Sequence, residues 1–93
     1  MVLKFEWDEK KNMLNKKKHG IFFETAKRVF YDPKRYEMFD KKHSLFEKRW
    51  ITIGLAGLTV LRVTYTERND RIRIITARKA DKNDKKEYFY GYS

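Results

Sequence analysis

The chain has 93 residues, enough for one small domain with a single core, and carries 23 lysines and arginines against 13 acidic residues. Seven phenylalanines, six tyrosines and two tryptophans indicate that this charge lies on a folded body, because disordered basic tails lack aromatic residues. The absence of cysteine excludes disulfides and thiolate metal sites. We find no apolar run typical of a signal peptide or a membrane span, so we expect a cytoplasmic protein.

The N-terminal elements are predicted from caps and apolar spacing. Residues 2–6 alternate apolar and polar side chains, as a short strand does. Asp8 suits a helix N-cap and Gly20 a C-terminal stop, which predicts a helix of about three turns between them. A second helix, with Phe23, Ala26, Val29 and Phe30 as its buried side, is predicted over residues 22–31. The chain's single proline, Pro33, then ends it.

The C-terminal half is predicted to be mostly strands. A polar connection over residues 34–45, in which 36–39 could be extended, leads to three antiparallel strands at 49–53, 60–67 and 71–78. Asp81 then caps a last helix that runs to about Tyr90. The order β-α-α-β-β-β-α predicts a single α+β domain over residues 1–93. We expect a twisted, mainly antiparallel sheet with helices packed on it.

A hairpin in this region concentrates arginines. Asn69 and Asp70 separate two runs rich in β-branched residues and tolerate the backbone angles of a tight turn. A two-residue turn predicts the pairs Arg68–Arg71, Thr66–Arg73, Thr64–Ile75 and Arg62–Ala77. Because side chains alternate along a strand, one face would carry Arg62, Thr64, Thr66, Arg68, Arg71 and Arg73. That face has no acid of its own, so we expect it to bind a polyanion, nucleic acid first.

Three blocks of residues, in order and with matching spacing, resemble a known family. The first is Phe5-Glu-Trp-Asp8 with Lys11, Asn15, Lys18-His-Gly-Ile21, Phe23 and Ala26. The second is Asp40, His43-Ser44, Glu47, Arg49 and Ile53-Gly54. The third is Tyr65-Thr-Glu-Arg68 and Arg73-Ile-Ile-Thr-Ala-Arg-Lys-Ala80. Over nearly its whole length, the chain resembles the BrnT toxins.

This resemblance implies a metal-independent endoribonuclease toxin of a type II toxin–antitoxin pair, with a fold similar to RelE. Its implied partners are RNA and a BrnA-like antitoxin, with operator DNA bound only through the toxin–antitoxin complex. We expect no cofactor and no metal, since neither His19 nor His43 has the spacing of a metal site and no third ligand is evident. We expect the antitoxin to cover the face from Arg62 to Arg73 and the helix that carries Tyr88 and Tyr92.

Metal-free RNA cleavage requires the 2′-OH to attack the adjacent phosphorus while the protein holds the phosphate and stabilises its extra charge. Arginine suits both tasks because its planar fork pairs with two phosphate oxygens. The candidate catalytic residues are Arg68, Arg73, Arg78 and Glu67. The candidate RNA-binding residues are Arg62, Arg71, Lys79, Lys18, His19 and Tyr88. The proton-transfer candidates are Glu67, His19, Tyr65, Tyr88 and, with a lowered pKa, Lys79.

Several alternatives stay open at this point. The predicted register puts Glu67 and Arg78 on the face opposite Arg68, so a bulge intervenes, the site lies at a sheet edge, or an assignment is wrong. Glu67 could also simply pair with Arg78. His19 and His43 are more typical of helix-end and loop-fixing residues than of catalysts. A non-catalytic nucleic-acid-binding module is the alternative function. A protein bound to anionic membrane is a third, disfavoured by the small apolar surface of the first helix.

Overall fold

The computed structural model describes residues 2–91, which form an α+β domain. Five strands make one sheet in the order β1-β5-β4-β3-β2. The strands are β1 (Phe5–Glu6), β2 (Tyr36–Phe39), β3 (Trp50–Ala56), β4 (Thr59–Arg68) and β5 (Arg71–Lys79). The helices are α1 (Glu9–His19), α2 (Phe23–Ala26) and α3 (Lys82–Tyr90), with 3₁₀ turns at Lys27–Tyr31 and Lys41–His43. Within residues 2–91, no helix has the length and apolar character needed to cross a membrane.

The first helix is confirmed, and the second is shorter than predicted. The Asp8 carboxylate accepts a hydrogen bond from the Lys10 N–H at 2.8 Å, and Gly20 ends α1 with φ of 75°. The predicted second helix divides into the single turn of α2 and a 3₁₀ segment, a tightening common at helix C-termini. Its buried side is nevertheless Phe23, Ala26, Val29 and Phe30, as predicted.

The sheet is mixed, with one more strand than the predicted order contains. The extended piece at 36–39 is a strand, β2, that pairs antiparallel with β3. At the other edge, β1 pairs parallel with β5. A parallel pair needs a long crossover connection, and α1 and α2, which follow β1 in the sequence, are part of it. The predicted order β-α-α-β-β-β-α is therefore right for the main elements but lacks β2.

Strand β3 continues past the predicted turn. The strand predicted over residues 49–53 runs to Ala56, so Gly54 lies inside β3, and Gly57 begins the turn with φ of 66°. A Cβ on Gly54 would lie 3.1 Å from Asp32 Oδ2 and 3.1 Å from Val29 Cγ1. Glycine at this position thus lets residues 29–35 approach the sheet, and the Asp32 carboxylate accepts the Leu55 N–H at 2.8 Å.

The hairpin has the predicted turn, with a bulge beyond it. Asn69 and Asp70 have φ of 50° and 63°, as a two-residue turn requires. The pairs Arg68–Arg71 and Thr66–Arg73 are confirmed, but the predicted pairs Thr64–Ile75 and Arg62–Ala77 are wrong. A register shift at Thr64/Tyr65 leaves Ile75 as an extra residue, so that Thr64 pairs with Thr76 and Arg62 with Arg78. Arg78 therefore lies on the same face as Arg62 and Arg68.

The two faces of the sheet bury different cores. The helix face, covered by α2 and the following 3₁₀ turn, packs Phe23 and Val29 against residues of β4 and β5. The opposite face, which we call the arginine face, carries Arg62, Arg68, Arg71, Arg73 and Arg78. At one end of it, α3 covers a smaller cluster of Ile51, Ile53 and Val60, against which Tyr88 packs.

Asn15 of α1 completes the outer edge of β5 beyond the short β1 strand. Its amide donates to Ala77 O at 2.8 Å and to Ile21 O at 2.8 Å, while its Oδ1 accepts from the Ala77 N–H at 3.1 Å. A buried side chain thus satisfies backbone groups that another strand would otherwise pair. Asn15 thereby joins α1 to β5 through buried hydrogen bonds.

Candidate nucleic-acid interface and cleavage site

The arginine face carries partners that the hairpin sequence alone does not supply. The hairpin itself contributes no acid to this face, as predicted, but carboxylates from three other elements reach it. Asp84 of α3 binds Arg62 and Arg78, Glu6 of β1 binds Arg73, and Glu47 of the loop before β3 binds Arg68. These acids divide the face into an anchored end under α3 and a more open end near the hairpin turn.

The anchored end is built around Asp84, whose side chain is 4% exposed. Arg62 Nη1 donates to Asp84 Oδ1 at 2.9 Å, and Arg78 Nη1 donates to Asp84 Oδ2 at 2.8 Å. Burial alone would raise the pKa of Asp84. The hydrogen bond from the Asp81 N–H and the two guanidinium charges outweigh burial, so the pKa lies below its ordinary value. Asp84 is therefore an ionised anchor that ties α3 to the sheet.

The open end contains Arg49, Arg68 and Arg73 around the carboxylate of Glu47, and we call these three residues the arginine cluster. Arg68 Nη2 donates to Glu47 Oε1 at 3.0 Å, and Arg49 Nη2 lies 3.7 Å from Glu47 Oε2. The hydrogen bond from Arg68 lowers the pKa of Glu47, and the charges of Arg68, Arg49 and Arg73 add to this against the effect of burial. An ionised Glu47 orients guanidinium groups and is a poor proton donor.

Arg49 has a hydrogen-bond donor without a partner among the described residues. Its Nε is buried and makes no hydrogen bond to any of the described residues, and its ion pair with Glu47 is long at 3.7 Å. A buried donor without a protein partner is rare and calls for an explanation, such as a bound water, an ion or a functional role. Arg49 and Glu47 lie in the second block of the family resemblance, but neither is among the site residues predicted from the sequence.

Arg73 is held in this cluster by Glu6 of the edge strand β1. The parallel pairing of β1 with β5 places Glu6 opposite Arg73, and Arg73 Nη1 donates to Glu6 Oε2 at 2.6 Å. Arg71 lies opposite Arg68 at the hairpin end, is exposed, and makes no ion pair within residues 2–91. Arg68, Arg71 and Arg73 therefore share one face and one end of the sheet.

Glu67 and Arg68 start on opposite faces of the sheet but line the same cleft at its edge. Glu67 pairs across the strands with Ile72, so it does not pair with Arg78. Strand β4, however, extends past the first residue of β3, Trp50, which leaves an open edge. Around this edge lies a cleft of about 460 Å³, lined by Glu47, Lys48, Trp50, Thr66, Glu67 and Arg68. A group in this cleft can reach both Glu67 and Arg68.

The remaining predicted residues lie elsewhere. Lys18 and His19 line a cleft of about 280 Å³ between α1 and β5, which also contains Thr76 and the bulge residue Ile75. Lys79 is exposed and pairs with Leu61, which puts it on the helix face, away from Arg68. The structure thus does not bring these three residues into the open end of the arginine face.

The predicted tyrosines are engaged in internal hydrogen bonds. Tyr88 OH donates to Asp32 Oδ2 at 2.6 Å, and burial, together with this bond to a carboxylate, raises the pKa of Tyr88 to about 12. Tyr65 lies on the helix face, where its hydroxyl donates to Glu37 and burial raises its pKa. Neither hydroxyl is placed or poised for proton transfer at the arginine cluster. Tyr92 lies outside the described residues.

Possible metal ligands do not converge in the part of the chain that the structure describes. Within residues 2–91, no three histidine or acidic side chains come together as a metal site would require. Beside the open end, His43 lines a cleft together with Glu47 and Arg49.

A comparison with family models identifies the family of the chain. The model described as "Ribonuclease toxin, BrnT, of type II toxin-antitoxin system" matches residues 7–84. The chain is thus a toxin of a type II toxin–antitoxin system. It belongs to the BrnT family. No curated protein sequence matches it.

Proposed function

We propose that this chain is a metal-independent endoribonuclease that cleaves RNA to inhibit translation and growth, and that a BrnA-like antitoxin neutralises it. The observation that carries the proposal is the arginine cluster at the open end of the arginine face. The family match supports the same activity. A RelE-like fold is part of the proposal, and the antiparallel pairing of β2 to β5 supports it.

The cluster is suited to hold a phosphate. Glu47 and Glu6 fix the guanidinium groups of Arg68 and Arg73, and an arginine that is already oriented loses less freedom when it binds. Each guanidinium carries five N–H donors, so one carboxylate leaves others for phosphate oxygens. On this face the guanidinium groups outnumber the carboxylates, and the excess positive charge is fixed where the transition state gains negative charge.

The four predicted catalytic residues take different parts in this proposal. Arg68 and Arg73 bind the scissile phosphate, and Glu67 is within reach of the same cleft for proton transfer. Arg78 is held with Arg62 by the buried Asp84, and we assign both a structural part in the site. Arg71, exposed beside Arg68, contacts a neighbouring phosphate.

The proposed antitoxin contact uses a second surface as well as the arginine face. Helix α3 exposes Phe89 and Tyr90, which are 61% and 68% exposed, on a helix that also carries several lysines. Large exposed apolar side chains of this kind are typical of protein–protein contacts. A BrnA-like antitoxin with acidic and apolar side chains would fit this helix and the open end. We propose that operator DNA is bound only through that complex.

Expression of the chain alone in bacteria tests the activity. We expect slowed growth and degraded RNA, with both effects abolished by Arg68→Ala and both suppressed when the co-encoded antitoxin is expressed. A purified chain that binds RNA tightly but leaves it intact under every condition would contradict cleavage. That result would favour a non-catalytic nucleic-acid-binding module.

A further inference from the structure

The loop over residues 40–49, between β2 and β3, is tied together by its own hydrogen bonds. The Asp40 N–H donates to Arg49 O at 2.9 Å, and the Arg49 N–H donates to Ser44 Oγ at 3.0 Å. The Asp40 carboxylate also caps the 3₁₀ turn that ends at His43. The side chains of this loop are therefore presented from a fixed backbone.

His43 and Asp40 form a pair within that loop. His43 Nδ1 lies 3.0 Å from Asp40 Oδ2 and 3.2 Å from Oδ1. A carboxylate only accepts hydrogen bonds, so Nδ1 carries the proton, and in the neutral imidazole the lone pair is then on Nε2. The Asp40 side chain is 11% exposed and that of His43 is 58% exposed. The carboxylate thus orients an imidazole that remains open to a substrate.

His43 and Arg49 line a cleft next to the one that contains Arg68. His43, Glu47 and Arg49 line a cleft of about 270 Å³, and Glu47 also lines the neighbouring cleft that contains Arg68. The rim of the first cleft includes Phe46, which is 96% exposed and offers a ring on which an unpaired base can stack. This cleft therefore combines three groups: the imidazole of His43, the guanidinium of Arg49 with its unpaired Nε–H, and the ring of Phe46.

We propose that His43, oriented by Asp40, is the general base of RNA cleavage, and that Arg49, between His43 and Arg68, joins Arg68 and Arg73 in binding the scissile phosphate. This assignment rests on the proposed ribonuclease function. It goes beyond the residues predicted from the sequence, where His43 was interpreted as a loop-fixing residue.

The proposed step balances without a metal. His43 Nε2 takes the proton of the ribose 2′-OH, and the 2′-oxygen forms a bond to the adjacent phosphorus as the bond to the 5′-oxygen breaks. Water protonates the departing 5′-oxygen, and the hydroxide so formed takes the proton from the His43 imidazolium. The products are a 2′,3′-cyclic phosphate and a 5′-hydroxyl. Arg49 and Arg68 stabilise the charge on the non-bridging oxygens.

The test is single-turnover cleavage of a defined RNA by His43→Gln, His43→Ala and Asp40→Asn, with Lys41→Ala as a control in the same loop. We expect both His43 variants to bind RNA as the wild type does and to cleave about 10² to 10⁴ times more slowly, as loss of a general base does. Asp40→Asn keeps the turn cap but loses the carboxylate, and should slow cleavage by on the order of tenfold or more. Lys41→Ala should cleave at the wild-type rate.

Rescue by added imidazole separates chemistry from folding. Free imidazole should restore cleavage by His43→Ala and leave Lys41→Ala unchanged, a response that a purely structural histidine does not give. Folded His43 variants that cleave at the wild-type rate would overturn the assignment of His43 alone. Slow cleavage by His43→Ala that added imidazole does not restore would also overturn the assignment of His43. Wild-type protein that never cleaves RNA would overturn the ribonuclease proposal itself.

Discussion

Arg62 and Arg78 lie directly opposite each other on β4 and β5, two like charges held side by side. Both donate to the carboxylate of Asp84, at 2.9 Å and 2.8 Å, so one buried acid neutralises the pair and fixes α3 to the sheet. Like charges directly opposite each other in a sheet are otherwise destabilising. Arg78, in the third block of the family resemblance, therefore belongs to an internal ion-pair network that Arg62 and Asp84 complete from outside that block.

Removing the carboxylate of Asp84 should destabilise the fold strongly. We expect Asp84→Ala to lower the free energy of unfolding by about 3–5 kcal/mol, because it leaves two partly buried guanidinium groups without a counter-charge. Chemical denaturation measures this. Glu87→Ala on the exposed side of α3 is the matched control and should change stability by less than about 0.5 kcal/mol. Equal effects of the two substitutions would contradict the anchoring role.

The same carboxylate predicts a loss of stability in acid. The pKa of Asp84 is lowered in the fold from its ordinary value of 3.8, so its ionisation stabilises the fold fully above that pH. This stabilisation disappears as the pH falls from about 4 through the lower pKa of the folded state. Between neutral pH and strong acid, the free energy of unfolding should depend less steeply on pH for Asp84→Asn than for the wild type. Identical slopes would rule out Asp84 as a contributor.

Two arginines on one face should respond differently to substitution. Arg68→Ala should cut RNA cleavage by on the order of a hundredfold or more with the fold intact, because Arg68 is half exposed and its partner Glu47 is near the surface. Arg78→Ala should lower the thermal midpoint, because it leaves the buried Asp84 with one fewer partner. Circular dichroism and cleavage assays of both variants check this. A stable, inactive Arg78→Ala would instead restore Arg78 to the catalytic set.

Capping signals and the turn residues predicted the first helix, the hairpin turn and the last helix because those features are local. The bulge was one of three alternatives left open by the sequence, although alternation breaks at Ile74-Ile75, where two apolar residues adjoin and the later residues change face. The acids that reach the arginine face come from distant segments, so no local pattern predicts them. The pairing of His43 with Asp40 is local, yet its place in a cleft beside Arg49 depends on the fold.

Association with the antitoxin should depend on salt. The free positive charge at the hairpin end, including the exposed Arg71, steers an acidic partner over a distance that is screened at about 8 Å near physiological ionic strength. We expect the association rate to fall as salt rises, and to fall less steeply for Arg71→Ala. Stopped-flow kinetics at several salt concentrations measure this. A rate that ignores both salt and the substitution would place the first contact elsewhere on the fold.

The most direct test of ribonuclease activity is cleavage of a defined RNA by the purified chain in excess EDTA, with the new ends identified. We predict unimpaired cleavage that leaves a 2′,3′-cyclic phosphate and a 5′-hydroxyl, and no cleavage where a 2′-deoxy nucleotide replaces the attacking ribose. Activity abolished by EDTA, or products without a cyclic phosphate, would contradict cleavage by arginine, histidine and glutamate side chains alone.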